Sequence, residues 1–293
     1  LAEGTQSFVA GGKSGVNSIG IFDEGDLLLQ GEGSLIVMGG GASTRSAGIA
    51  LLDRNLTIQS GTVTAIGGKA GETSYGVSAN FGSMAVKGGA VTAIGGTANL
   101  DSAGIYIRII CTVEGGVVTA VGGTAAEKSH GIHSYSYSVN LNGGLILASA
   151  GTGNYVSAVN AGLQFEPGSN MADLLDPVNG KSYIQSFAVY GDKNTYHVQR
   201  DELNFTDPGL HSGEGFEWEN NILKLENLIL APSEDTESAL TLPDGVTLEL
   251  TGTSVVRGVD RPGSSSDSYG VFCKGSLTVR ESESGGALYA LGG

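Results

Sequence analysis

Cysteine, proline, tryptophan and positive charge are all scarce in this sequence. Its 293 residues hold two cysteines, six prolines and one tryptophan. Two cysteines, Cys111 and Cys273, exclude a disulfide framework as the source of stability. Six prolines exclude a collagen or polyproline chain. Aromatic residues make up only 6%, so a core must come from aliphatic and small side chains. Lys and Arg number 15 against 30 Asp and Glu, for a net charge of −15. That surface repels a phosphate backbone and an anionic bilayer, which argues against nucleic acid and lipid surfaces as partners. No apolar run reaches the roughly 18 residues of a spanning helix, so no membrane insertion is expected.

What the chain does have is glycine, 49 residues of it, against an average of about 7%. The hydrophobic fraction is 40% and the charged fraction 15%, which excludes a charge-rich disordered tail. Much of the glycine keeps a beat. Gly61-Thr62-Val63-Thr64-Ala65-Ile66-Gly67-Gly68 returns at Gly89–Gly96 and, with valines, at Gly116–Gly123. Looser copies start at Gly33, Gly144 and Gly286. The leading glycines at 33, 61, 89, 116 and 144 are spaced by 28, 28, 27 and 28 residues. A second phrase, Ser-x-Gly-[Ile/Val], starts at Ser18, Ser46, Ser74, Ser102 and Ser129, and again at Ser268. Between the two phrases runs an alternating stretch. Leu27, Leu56, Met84, Cys111, Val139 and Leu277 make one apolar column, and Leu29, Ile58, Val86, Val113, Leu141 and Val279 the next. Period-two alternation turns both columns inward and makes the cysteines small buried hydrophobes.

A fixed period with no helical signal marks a solenoid. The expected fold is all-β: a right-handed parallel β-helix with three strands per turn of about 28 residues. Residues 1–168 carry its rungs. Residues 169–221 break the beat and hold Tyr183, Phe187, Tyr190, Tyr196, Phe205, Phe216 and Trp218. They read as a non-repeat cap or linker over an open end. Residues 222–293 restart the pattern as a second, partial β-helix. The sequence around Leu1–Val9 faintly parallels Leu248–Val256, and Leu1 follows no leader pattern. The chain is therefore expected to be a slice of a longer tandem array, with end-to-end stacking of β-helices as one mode of partnership.

The run Trp218-x-x-x-Ile222-Leu223-x-Leu225-x-Asn227, followed by Ala239-Leu240-x-Leu242-Pro243-Asp244-Gly245-Val246-Thr247-Leu248-x-Leu250-x-Gly252-Thr253, resembles the opening of bacterial secreted right-handed β-helix domains. Gly275-Ser276-Leu277-Thr278-Val279 and the Gly-Gly phrases resemble their rungs. That group includes carbohydrate-binding β-helix modules of clostridia and gut bacteria. The resemblance implies a secreted or cell-surface bacterial protein. Its implied work is non-catalytic polysaccharide binding or scaffolding, with a cell-surface glycan as partner. The alternatives are a structural or adhesive stalk and a degenerate polysaccharide lyase. Members that bind polysaccharide use acidic residues and calcium.

Chemistry is sparse along the strands. Asp23, Glu24 and Asp26 are the densest acidic group in the repeats and are the candidate oxygen ligands for calcium. No cofactor is required by any motif, and no catalytic residues can be assembled. Tyr75, Tyr106, His133, Tyr135, Tyr137 and Tyr155 gather around the Ser-x-Gly phrases of neighbouring turns. As aromatic groups beside polar ones they are the candidate sugar-stacking residues. His130 and His133 lie three apart in an extended segment, which predicts opposite faces and no metal pair. The Gly-Gly pairs are assigned to corners that need a positive φ. Thr64, Thr92 and Thr119 form an outward row explained by β-branched strand preference.

Overall fold

The computed structural model describes residues 1–165, 170–172, 186–190, 197–199, 201–206, 212–232, 236–258 and 268–291. Within these, the side chains of 135–138, 162–165, 170–172, 186–190, 198 and 291 are outside the description. Every described element is a strand, and no helix occurs among the described residues. The chain is an all-β parallel solenoid of about eight turns. It divides into two compact units, Leu1–Asp192 and Lys193–Gly293.

The first unit is built from ladders of equivalent repeat positions. One ladder stacks Gln6–Ala10, Ser34–Met38, Thr62–Ile66, Ala90–Ile94, Val117–Val121 and Leu145–Ser149, all parallel. Its register is residue for residue, so Thr64, Thr92 and Thr119 stand side by side. A second ladder stacks Asn17–Asp23, Arg45–Leu52, Thr73–Asn80, Asp101–Ile107, the first part of Lys128–Leu141, and Tyr155–Phe165. A third stacks Leu27–Leu29, Leu56–Ile58, Met84–Val86, Cys111–Val113 and the end of Lys128–Leu141. The column Leu27, Leu56, Met84, Cys111, Val139 read from the sequence is thus a physical stack.

Inward side chains of the three ladders fuse into one continuous core, including Val63, Val91, Val118, Ile49, Val77, Ile105, Ile132, Met84 and Cys111. Burial pushes the Cys111 thiol up to about 12, as its desolvation requires. Beyond Leu145–Ser149 the parallel order stops. Ser186–Tyr190 pairs with that strand in antiparallel sense and Asn170–Ala172 pairs with Ser186–Tyr190. A strand from the middle segment therefore occupies the ladder's open edge, which would otherwise present unpaired N–H and C=O groups. Of the aromatic residues of that segment, Tyr183 and Tyr196 lie outside the described residues.

Two glycine columns have different causes. The leading glycines Gly61, Gly89, Gly116 and Gly144 have φ of 87°, 78°, 77° and 74°, a region L side chains rarely enter. The Gly-Gly pairs do not, which corrects the expectation of positive φ there. Their need is space. A Cβ on Gly96 would lie 2.1 Å from the Gly68 carbonyl oxygen, and one on Gly123 2.1 Å from that of Gly96. The serines of the Ser-x-Gly phrase use the same corner. Ser46 Oγ donates to the Gly40 carbonyl at 2.8 Å and accepts from the Gly68 N–H at 2.9 Å. Ser74 repeats this with the Gly68 carbonyl and the Gly96 N–H at 2.6 and 3.2 Å. Each buried hydroxyl thus ties its own turn to the next, satisfying backbone groups that would be costly to leave unpaired.

The second unit stacks Ile222–Glu226, Val246–Arg257 and Leu277–Leu291 in parallel. Leu203–Asn204, Ser238–Leu242 and Tyr269–Cys273 form a further parallel set. Its core holds Leu223, Leu225, Leu240, Leu248 and Val256, with Phe205, Phe216 and Trp218 packed at one side. Leu277 and Val279 continue the columns of Val246 and Leu248 but are exposed, on the outermost described strand of that stack. They share the inward face of Val246 and Leu248, as the sequence assigns them, and are exposed because no further described strand covers them. Cys273 is half-buried against this core.

Candidate functional site

Side chains on the outer face of the second ladder are set by a local break in alternation. In the phrase Ser129-His130-Gly131-Ile132, two successive residues face inward. Ile132 is fully buried in the core, and a Cβ on Gly131 would lie 2.8 Å from the Ala120 carbonyl oxygen and 2.9 Å from the Ser149 nitrogen, both on the first ladder. The chain bends there, and the residues on either side emerge on the same face. His130 and His133 consequently approach each other, with ring centroids 4.7 Å apart. This overturns the expectation of opposite faces, which assumed an unbroken period of two.

Three outward columns meet there. One runs Ile19, Ala47, Tyr75, Ala103, His130, Ser157, and the next Phe22, Ala50, Ser78, Tyr106, His133, Asn160. A third, at the strand starts, runs Asn17, Arg45, Thr73, Asp101, Lys128, Tyr155. Small residues alternate with large ones. Ala47 and Ala103 flank Tyr75 and leave room for its ring to lie down, so Ala47, Ala50, Tyr75 and Ala103 form a small buried cluster with Ile19 and Tyr106 at its edge. Tyr75 and Tyr106 stack with centroids 4.7 Å apart and planes 16° from parallel. Tyr106 meets the His133 ring edge-on at 5.4 Å.

Asp101 is the polar centre of this group. Its Oδ2 lies 3.0 Å from His133 Nδ1 and accepts a hydrogen bond from the Tyr75 hydroxyl at 3.3 Å. Burial, then the charge of Asp101, pushes the Tyr75 phenol well above its ordinary value, so it stays a neutral donor. His130 Nδ1 lies 2.7 Å from Ser157 Oγ. Burial, and next the neighbouring His133, pushes the His130 imidazole down to about 4, so its ring is neutral near pH 7. Two atoms have no partner: His130 Nε2 and Asp101 Oδ1 are both buried without a hydrogen bond. Among the described residues, Asp101, His130 and His133 are the one group of three metal-ligating side chains that converges, with one ligand atom from each within 4.8 Å of the others.

The residues expected to stack on sugar are therefore divided. Tyr75, Tyr106 and His133 come together, but Tyr75 and His133 are buried and the Tyr75 ring is covered by Tyr106. Tyr155 stands apart with 57% of its surface exposed. The side chains of Tyr135 and Tyr137 lie outside the described residues. The acidic corner is engaged in turn-building. Asp23 accepts from the Gly25 N–H at 2.7 Å, and Asp26 accepts from the Asn55 N–H of the next turn at 3.0 Å. Arg54 Nε reaches the Glu24 carbonyl at 3.0 Å. Asp101, His130 and Ser157 were not singled out from the sequence as partners. The available signal was the repeated Ser-x-Gly-Ile phrase, whose second and fifth positions share one face in every turn.

Fold and site together define a parallel β-solenoid carrying one buried His/Asp cluster on an outer ladder face. No protein-family model, curated protein or solved structure matches the chain.

Proposed function

We propose that this chain is a non-catalytic bacterial binding and scaffolding solenoid, secreted or displayed at the cell surface, that holds a polysaccharide along the outer face of its second ladder. The observation that carries this reading is Tyr155. Its open ring ends the column Arg45, Thr73, Asp101, Lys128, Tyr155, in which equivalent residues of successive turns lie side by side. Parallel strands repeat at about 4.8 Å, so such a column offers a stacking surface and a row of polar groups along one line. Sugar rings take both, by apolar contact with their C–H face and by hydrogen bonds from their hydroxyls. The rigid, in-register stacking also favours a second reading, a stalk that spaces other parts of a surface protein.

A glycan array, with cellulose and pectin pull-downs, separates these readings. The expected result is retention on at least one polysaccharide, weakened about five- to tenfold by Tyr155→Ala, the loss of roughly one aromatic stacking contact. Absence of retention on every glycan moves the assignment to the stalk. Unsaturated product released from pectate overturns the non-catalytic reading.

A further inference from the structure

We propose that Asp101, His130 and His133 form a binding site for a divalent first-row transition ion of the zinc class, which clamps two neighbouring turns together. Two imidazole nitrogens and one carboxylate oxygen are a ligand set for zinc and its neighbours, whereas calcium takes six to eight oxygens. The Asp23, Glu24 and Asp26 corner is oxygen-only, and the Asp23 and Asp26 carboxylates already serve the backbone of the turns.

Geometry and burial point the same way. One ligand atom from each residue lies within 4.8 Å of the other two. His130 is 4% exposed and its Nε2 has no partner, and Asp101 is 9% exposed with its Oδ1 likewise unpartnered. An unpartnered ring nitrogen and an unpartnered carboxylate oxygen in the interior both lack the partners that buried polar atoms need. A cation satisfies both at once. The surrounding groups are those that orient metal ligands. Ser157 Oγ sits 2.7 Å from His130 Nδ1, and a proton on that nitrogen leaves Nε2 as a free lone pair. The neutral Tyr75 hydroxyl holds Asp101 Oδ2 at 3.3 Å.

The ligands also come from two turns. Asp101 begins the strand Asp101–Ile107, and both histidines lie on Lys128–Leu141, its neighbour in the ladder. An ion bound there links the turns directly, and because the unfolded chain cannot assemble the three ligands, binding raises the unfolding temperature.

Zinc titration of metal-free chain, against a chromophoric competitor, tests the site. One zinc per chain is expected, with the melting temperature raised by zinc and unmoved by calcium. Asp101→Asn and His130→Gln should each weaken zinc more than about 100-fold, and Ser157→Ala about tenfold as a loss of ligand orientation. Circular dichroism of the metal-free variants checks that they fold. If they do not, the unaltered chain decides alone: zinc should shift the imidazole nitrogen resonances of His130 and His133 and leave those of His197 unchanged. Failure of zinc to bind, equal binding by folded His130→Gln, or a shift confined to other histidines would overturn the proposal.

Discussion

Replacing Gly96 by alanine is expected to lower stability by more than about 4 kcal/mol, an exceptional cost for one methyl group. A Cβ there would lie 2.1 Å from the Gly68 carbonyl oxygen, 2.4 Å from that of Gly67 and 2.5 Å from Ser74 Oγ. The nearest two obstacles are backbone and cannot swing aside. The turns must separate, and separation stretches the Gly67 N–H to Ile94 carbonyl bond at 2.9 Å and the Gly96 N–H to Ser74 bond at 3.2 Å. Gly12 gives the control. It holds the same position in its Gly-Gly pair, yet nothing lies within 4 Å of a Cβ built there, because among the described residues no turn stacks on that side. Gly12→Ala is expected to fall within about 0.5 kcal/mol of the unaltered chain. Urea unfolding of the two variants makes the comparison. Equal effects would mean that the glycine pair is needed for local chain conformation and not for the approach of neighbouring turns.

Ile105→Ala is the second large effect, at about 2–5 kcal/mol. Ile105 is fully buried and stands in the inward column between Val77 and Ile132. A shortened side chain leaves a cavity bounded by three successive turns, and stacked backbones held by hydrogen bonds cannot collapse into it. Solenoid stability is a sum of turns and their interfaces, so damage to an inner turn weakens both of its interfaces. Leu28→Ala removes comparable apolar volume from an outward position that is 52% exposed, and is expected to cost less than about 1 kcal/mol. Similar losses at Ile105 and Leu28 would contradict the assignment of inner and outer columns.

The sequence made the ladders legible because the 28-residue spacing is itself the stacking rule. Positions one period apart become lateral neighbours, so the spacing alone places Leu56, Met84 and Cys111 in one column. Counting by twos failed where the chain bends. At Gly131 and Ile132 two inward residues follow each other, and this brought His130 beside His133. Asp101 was hidden for another reason. It lies 32 residues from His133, one turn plus the offset between the first residue of a strand and its sixth, and no spacing motif covers that interval. The glycine pairs were recognised as corners, but composition cannot distinguish a residue that needs positive φ from one that needs its neighbour's backbone at close range. The exposed Leu277 and Val279 show that the column rule gives a facing, whereas burial also needs a neighbouring strand on each side.

One bend in the Ser-x-Gly-Ile phrase brings His130 and His133 beside Asp101 on a parallel β-solenoid, at the transition-metal site proposed above. Crystal diffraction from zinc-loaded protein, with anomalous data at the zinc edge, tests it most directly. Thr64, Thr92 and Thr119 should stand side by side in one ladder, with a single strong anomalous peak in bonding contact with Asp101, His130 and His133. Histidines on opposite faces of the strand, or a peak absent from this cluster, would contradict it.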